Sequence, residues 1–339
     1  MTVGSIRAFL VALALLALAR PLAALQVEIL RSVGSLPPHI VGTFEEPIDF
    51  QQAKSGEYYI FDRRGHTVHT VDAARTTSKK VLEIGFEDGR VIQPSGFDLA
   101  PDGRFVVADV PRSQQRVQTF DATGRLLTGF FLPGAPSARV VLGNLMLNGA
   151  GSVQFGAETL FISHPESGAL FTEYTPRGSA FRSIGRLRST GFEDDRDLHV
   201  ALNAGLPLLD PTGGYFYVFI TGRPMFRKYD ANGTLVFERH IEGVELDPSI
   251  QALPTTWPAR ATGALPLVSP LVRTAAIDAG GRLWISLMTP FTYVYDRNGD
   301  KTRTVQLEAG GDLVSPASLF FTRQGRLLVT PGCHEFAVK

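Results

Sequence analysis

Cysteine is almost absent from this chain of 339 residues, in which Cys333 is the only one. A single thiol cannot form a disulfide within the chain, so the fold has to be stabilised by its apolar core. Cys333 follows Pro331 and Gly332, and we expect it to be buried as a small apolar side chain.

The chain also lacks an excess of charge, because 33 basic residues balance 33 acidic ones. This balance gives no electrostatic reason to expect a nucleic acid or an anionic membrane surface as partner. The hydrophobic fraction of 44% is large enough for a full core and excludes a disordered or collagen-like chain.

Long apolar runs are confined to the N-terminus, where residues 8–19 are uninterrupted by any polar side chain. This run is shorter than the roughly 20 residues needed to cross a bilayer and is typical of a secretory signal peptide. We expect residues 1–24 to be that signal peptide, cleaved after Ala19 or near Ala24, with an uncleaved anchor as the alternative. Residues 25–339 contain no run that could span a membrane, so we predict a secreted or periplasmic protein.

Sequence motifs of catalysis and cofactor binding are missing too, including G-x-S-x-G, C-x-x-C, H-E-x-x-H and glycine-rich phosphate loops. The segment DRNGDK, residues 296–301, begins like a calcium loop. Its glycine stands at the fourth position and Leu307 at the twelfth, which favours a hairpin turn instead. We predict neither a metal nor a cofactor.

What the sequence does contain is a repeated strand-and-turn pattern. Runs of about five residues rich in Val, Ile, Phe, Tyr and Leu are bounded by Gly, Pro, Asp or Asn. Six turn glycines at intervals of 44 to 67 residues precede the most apolar run of each unit: Gly56, Gly103, Gly156, Gly214, Gly281 and Gly325. A second turn glycine follows four of them after 18 to 22 residues: Gly124, Gly178, Gly233 and Gly299. Each unit is therefore predicted to be a four-stranded antiparallel sheet.

Units of this length predict an all-β protein, a six-bladed β-propeller, because radial stacking buries both faces of each small sheet. The last unit, residues 316–339, has room for three strands only. Residues 26–34 supply a further strand, which we predict completes the last blade and closes the ring. The proline-rich segment of about 243–272 is predicted to be a long irregular insertion, with a degenerate seventh blade as the alternative.

Two segments, residues 44–73 and 93–127, resemble NHL repeats. The shared pattern is a proline before the first strand, Asp and Gly at the turn, and an apolar strand that ends in Asp, here Asp62 and Asp109. The resemblance implies a propeller and no particular function, since such propellers serve many unrelated tasks.

The chain is also distantly similar to six-bladed propellers of the gluconolactonase type, which are metal-dependent lactonases. That resemblance implies a metal in the central channel, held by a Glu ahead of the first strand, by Asn residues and by an Asp. Glu45 and Glu46 match the first position. Ser95 stands where an Asn is expected and Arg273 where an acidic ligand is expected, so the ligand set is incomplete.

Several polar residues are predicted to gather at one end of the ring, where the segments leading into the first strands meet the loops that follow the second strands. We predict that these residues bind a ligand: Glu46, Arg63, Arg64, Arg112, His164, Arg223 and Trp257. Arginines suit a carboxylate, a sugar acid or a peptide terminus, and Trp257 lies in an insertion that a propeller does not need.

The sequence thus predicts an extracytoplasmic module that binds an unknown small molecule, peptide or protein and has no catalysis of its own. One alternative is a metal-dependent hydrolase, similar to the lactonases, or a lyase with its site in the central channel. The other is a scaffold whose only partner is another protein.

Overall fold

A computed structural model describes residues 27–134, 138–142, 145–148, 152–261 and 264–338, with the backbone alone given between 138 and 148. It shows an all-β protein whose four-stranded antiparallel sheets are arranged as the blades of a propeller, which confirms the predicted fold class.

Four separate blades are present among the described residues, preceded by strand β1 (Val27–Ser35). Blade 1 contains β2 (Pro47–Gln52), β3 (Tyr58–Asp62), β4 (Thr67–Val71) and β5 (Ser78–Lys80). Blade 2 contains β6 (Gly96–Leu99), β7 (Phe105–Asp109), β8 (Arg116–Phe120) and β9 (Leu126–Phe131). A hairpin of β10 (Ala138–Leu142) and β11 (Leu145–Asn148) follows. Blade 3 contains β12 (Val153–Phe155), β13 (Leu160–Ile162), β14 (Ala169–Tyr174) and β15 (Ala180–Arg186). Blade 4 contains β16 (Gly205–Leu209), β17 (Tyr215–Phe219), β18 (Met225–Tyr229) and β19 (Leu235–His240).

The remaining strands form one nine-stranded sheet that includes β1. Its first part contains β20 (Val272–Ile277), β21 (Leu283–Leu287), β22 (Thr292–Tyr295), β23 (Lys301–Ala309) and the short β24 (Asp312–Val314). Its second part contains β25 (Ser318–Phe321), β26 (Arg326–Thr330) and β27 (His334–Ala337). Both parts are antiparallel within themselves.

The ring closes through strands that we call the innermost strands: β2, β6, β12, β16, β20 and β25. Each contacts the next, and β25 contacts β2 as well as β20, which leaves a channel in the middle. The second strand of each sheet is buried on both faces because neighbouring sheets stack on it; β3, β7, β17 and β21 have no exposed residue. Phe61 of β3 stacks on Phe97 of β6, for example, with ring centroids 5.3 Å apart.

Strand β1 fastens the nine-stranded sheet at two places. Ser32, Gly34 and Ser35 pair antiparallel with β27, so the N-terminal strand completes the last sheet as predicted. Residues 27–31 pair in parallel with residues 304–308 of β23, a pairing that was not predicted from the sequence. One strand therefore joins the two parts of the sheet.

Three short α-helices among the described residues depart from the predicted all-strand pattern: α1 (Pro38–Val41), α2 (Arg196–Leu202) and α3 (Asp247–Gln251). Helix α2 begins where Asp195 accepts a hydrogen bond from the backbone amide of Leu198 at 3.2 Å. It has too few residues to show a clear helical period in the sequence. Helix α3 lies in the predicted insertion, in which the described residues 243–261 and 264–271 contain no strand.

Two local predictions are confirmed. Asp296 accepts hydrogen bonds from the backbone amides of Asn298 and Asp300 at 2.9 Å each, in the hairpin turn between β22 and β23. Cys333 is fully buried, and burial raises the pKa of its thiol to about 12. None of the helices in the described part of the chain has the length and apolar character needed to cross a membrane.

Candidate functional site

The central channel is a cavity of about 900 Å³ whose wall is formed by the innermost strands. The wall has two different halves. The polar half, on β2, β6 and β12, carries the hydrogen-bonding side chains Asp49, Gln51, Asp98 and Gln154. The apolar half, on β16, β20 and β25, carries mainly aliphatic and aromatic side chains, among them Leu206, Leu208, Val272, Ile277, Leu319 and Phe320.

Asp49 lies on β2 at the boundary of the polar half. A bulge at Ile48 precedes it, and the two-residue period of a strand places Asp49 and Gln51 on one face. Gln51 Nε2 donates to Asp49 Oδ2 at 3.0 Å, and the backbone amide of Phe50 donates to Oδ1 at 2.9 Å. Burial outweighs these hydrogen bonds and raises the pKa of Asp49 to about 7.

Asp98 is the second carboxyl group of the channel wall. Its Oδ2 accepts a hydrogen bond of 2.7 Å from the backbone amide of Phe155 in the next blade. Burial raises the pKa of Asp98 to about 7, and the neighbouring charge of Asp49 adds to the effect. The two carboxyl groups interact, so their protons belong to the pair rather than to either residue. Near neutral pH the pair can donate as well as accept hydrogen bonds.

The polar half connects each blade to the next by the same hydrogen bond. The side chain of Gln51 accepts from the amide of Leu99 at 3.0 Å, and that of Gln154 accepts from the amide of Leu209 at 3.1 Å. Asp98 makes the equivalent bond between them. The innermost strands have one edge without a neighbouring strand, and these bonds satisfy amides on that edge.

Arg273 is the charged residue that stands apart in this wall. It occupies a bulge in β20, between Val272 and Thr274, and a bulge redirects the side chain that it carries. Its Nε is buried and has no hydrogen-bond partner among the described residues. Burial lowers the pKa of Arg273, and no described carboxylate forms an ion pair with it. A half-buried cation without a counterion is unfavourable, and an anion entering the channel would relieve that cost.

Glu46 and Arg63 form an ion pair at the mouth of the same channel. Arg63 Nη2 lies 2.6 Å from Glu46 Oε1, and its Nε donates to Oε2 at 3.1 Å. Asp62 holds this segment in place, since its carboxylate accepts the backbone amides of Glu45 and Glu46 at 2.7 and 2.8 Å. Burial opposes ionisation of Asp62, but hydrogen bonds from His69 and three amides lower its pKa well below the usual range.

This geometry fits a divalent cation poorly. Both oxygens of Glu46 are bound by Arg63, and Arg273 adds a positive charge to the channel wall. Within the described ranges, no three His, Cys, Asp or Glu side chains come together as metal ligands.

Two other predicted residues, Arg223 and Trp257, line a second cavity of about 800 Å³. Arg223 is exposed in the loop between β17 and β18. Trp257 is half-buried and packs against the apolar cluster that includes Leu198, Leu202 and Val268.

The last three predicted residues lie elsewhere at this end of the ring. His164 is buried, with 4% of its surface exposed, and its Nε2 lies 3.6 Å from Glu166 Oε2. Arg112 is exposed and lies over the ring of Phe86, 5.9 Å from its centroid. Arg64 is exposed, without a hydrogen bond or ion pair to a described residue. The seven predicted residues therefore do not form one site, because they divide between the channel mouth, the second cavity and separate loops.

Asp49, Asp98 and Gln154 were not among the site residues predicted from the sequence. The signal that could have found them is the segments PIDFQQ, GFDL and VQF, in which the first strand of a unit places a polar residue among apolar ones. First strands line the channel of a propeller, so such residues belong to its wall.

Comparison with known proteins identifies the fold. No family model matches the chain, and no curated protein matches it in sequence. A streptogramin B lyase structure matches with a TM-score of 0.51 and 10% identity, over 86% of this chain and 92% of that one. A gluconolactonase from Xanthomonas campestris matches with a TM-score of 0.50 and 16% identity, over 85% and 83% of the two chains. Regucalcin from Agrobacterium tumefaciens, a calcium-binding protein, matches with a TM-score of 0.50 and 12% identity, over 92% and 95%. What the chain shares with them is the propeller fold.

Proposed function

We propose that this protein is an extracytoplasmic six-bladed propeller, similar to NHL-repeat propellers, that binds a small amphipathic organic acid in its central channel. The six innermost strands in a closed circuit support the blade count, with the nine-stranded sheet counted as two blades joined by β1. The apolar run of residues 8–19 supports export.

The observation that carries the proposal is the uncompensated guanidinium of Arg273 inside a cavity of about 900 Å³. An arginine in a low-dielectric wall binds a carboxylate through charge-assisted hydrogen bonds, which are stronger than those between neutral groups. The ligand therefore carries a carboxylate near the channel mouth, where β20 begins.

The two halves of the wall define the rest of the ligand. Asp49 and Asp98 offer acceptors and, when protonated, donors, which suits hydroxyl or amino groups. The apolar half offers Leu208, Leu319 and Phe320 to a hydrocarbon portion. The proposed ligand class is a hydroxylated or amino-substituted organic acid with an apolar body.

Isothermal titration calorimetry with 3-hydroxyoctanoate, octanoate and 3-hydroxybutanoate tests this proposal, because the set removes the hydroxyl group or shortens the apolar chain. We expect 3-hydroxyoctanoate to bind best and Arg273→Gln to weaken it by about tenfold or more, since hydrogen bonds to charged groups contribute roughly 1.5–3 kcal/mol. Arg297→Gln, which changes an exposed arginine outside the channel, is the matched control. Equal binding to wild type and Arg273→Gln would overturn the proposal.

A second candidate function, hydrolysis or elimination by acid–base catalysis, is favoured by the two carboxyl groups with a pKa of about 7. Turnover of aliphatic lactones is the assay. If this function is correct, Asp49→Asn and Asp98→Asn each reduce turnover by about 100-fold or more, and the activity persists in EDTA. Loss of activity in EDTA would instead support a metal-dependent lactonase.

A further inference from the structure

The second cavity, of about 800 Å³, lies outside the central channel, beside the outer strands of blade 4. Its walls come from residues 188–192, from the loop between β17 and β18, from β19 and from the insertion that contains α3. We propose that this cavity is a second binding site, specific for a small organic anion with a flat apolar body. This site does not depend on the ligand of the channel.

Arg223 supplies the cationic group of this site. Its guanidinium is exposed and makes no hydrogen bond or ion pair with a described residue. Its backbone is held in place, since Arg188 Nη1 donates to the carbonyl oxygen of Arg223 at 2.6 Å. Arg188 Nη2 donates to the carbonyl oxygens of Leu202 and Thr221 at 2.7 and 2.5 Å. The arginine therefore projects from a fixed loop and keeps its donors for a ligand.

The charge around the cavity favours an anion. Arg188, Arg223 and Arg227 place three guanidinium groups in the wall. Burial lowers the pKa of Arg188 to about 10, which leaves it cationic at neutral pH. The one carboxylate among the lining residues, Glu238, accepts a 2.6 Å hydrogen bond from Arg227 Nε and leaves Arg223 uncompensated.

The apolar residues that line the cavity favour an aromatic body. Trp257 contributes a half-buried indole, and Phe192, Met225 and Leu271 add apolar surface to the same cavity. An aromatic ring and an uncompensated guanidinium in the wall of one cavity suit an aromatic carboxylate or sulfonate, which would stack on the ring and accept a charge-assisted hydrogen bond.

The insertion is attached to the propeller at both sides of this cavity, so the site is formed before a ligand arrives. Arg260 Nη2 lies 2.6 Å from Oδ1 of Asp195, the residue that caps α2. Thr221 and Pro270 form a β-bridge, and the amide of Leu271 donates to the carbonyl oxygen of Ile220 at 2.9 Å. A preformed pocket requires less ordering on binding and so gives higher affinity.

The test uses the folded chain and 8-anilinonaphthalene-1-sulfonate, a fluorescent aromatic anion. The chain has two tryptophans, and Trp284 is fully buried with its indole nitrogen bound to Asp278. We therefore expect saturable binding of the probe in the second cavity to quench the emission of Trp257. Arg223→Gln should raise the dissociation constant of the probe about tenfold. Trp257→Phe should abolish the quenching.

Two variants locate the probe. Arg64→Gln changes an exposed arginine at the same end of the ring and should leave the dissociation constant unchanged. Arg273→Gln alters the channel and should do the same. Equal affinity of Arg223→Gln and wild type, quenching that survives Trp257→Phe, or loss of binding in Arg273→Gln would each overturn the proposal. Unchanged melting temperatures show that the variants are folded.

Discussion

The two halves of the channel wall hold their blades together in different ways. In the polar half, side chains of Gln51, Asp98 and Gln154 bind backbone amides of the next blade. In the apolar half, the corresponding contact is made by packing, as Leu208 does in the cluster between blade 4 and β20–β22. Packing supplies these contacts in the apolar half, where Arg273 is the charged residue of the wall, whereas the polar half uses side chains that can also donate to and accept from a ligand. The comparison indicates that the polar half retains hydrogen-bonding groups at some cost in stability.

The largest change in the stability of the fold is expected when the pH changes and the two carboxyl groups of the polar half, Asp49 and Asp98, ionise. Asp49 and Asp98 have a folded-state pKa of about 7 and a usual value of 3.8. A raised folded-state pKa gives stability that is complete below about pH 4 and is lost as the pH rises through 7. We expect the free energy of unfolding to fall by about 4 kcal/mol for each of the two carboxyl groups over this window, since one pKa unit corresponds to about 1.4 kcal/mol.

Urea unfolding of wild type and of the double variant Asp49→Asn, Asp98→Asn between about pH 5 and 8 measures this decline. The variant should show a flatter profile, because an amide does not ionise. A wild-type profile equally flat would show that the two carboxyl groups do not limit stability. Below about pH 4 the opposite trend is expected from Asp62, whose folded-state pKa is lowered.

A smaller loss of stability is expected when one hydrogen bond between neighbouring blades is removed. Gln154→Leu deletes the acceptor of the Leu209 amide and should cost about 0.5–1.5 kcal/mol, since a half-buried amide loses its partner in the neighbouring blade. Gln52→Leu is the control, because Gln52 Nε2 donates within its own hairpin, to Gly56 at 3.1 Å, where water can replace it. Both variants are compared by urea unfolding. Equal losses in the free energy of unfolding would contradict a special role for the hydrogen bond between the blades.

The smallest effect, of opposite sign, is expected at Arg273. Arg273→Met removes a half-buried cation that lacks a counterion and should raise the free energy of unfolding by about 0.5–1 kcal/mol. Differential scanning calorimetry measures the accompanying rise in melting temperature. A clear loss of stability would indicate that Arg273 supports the fold rather than a ligand.

The repeating turn glycines predicted the blades well because turn chemistry is local. Gly103, for example, has a φ of 89°, a conformation that favours glycine, and it lies between β6 and β7 as expected. The parallel pairing of β1 with β23 was beyond local reasoning, because it joins residues far apart in the sequence.

The channel residues, too, could not be predicted from local sequence patterns. In the sequence, Arg273 stood out only because it occupies a position where the resemblance to gluconolactonases implies an acidic metal ligand. Its position in the channel depends on a bulge in β20, which no local sequence motif predicts. Asp49 and Asp98 looked like ordinary polar residues of half-exposed strands, and their raised pKa follows from the burial that the assembled ring imposes. His164 was predicted to bind a ligand at one end of the ring, and the structure places it, with 4% of its surface exposed, directly before the 3₁₀ turn Pro165–Ser167.

The double pairing of β1 has a consequence for biogenesis. During synthesis Val27–Ser35 leaves the ribosome early, whereas its partner His334–Ala337 is made some 300 residues later. Neighbours so distant in sequence meet slowly, since a long loop must close first. Earlier blades can stack one after another while translation continues, but the circle stays open until β27 has been made.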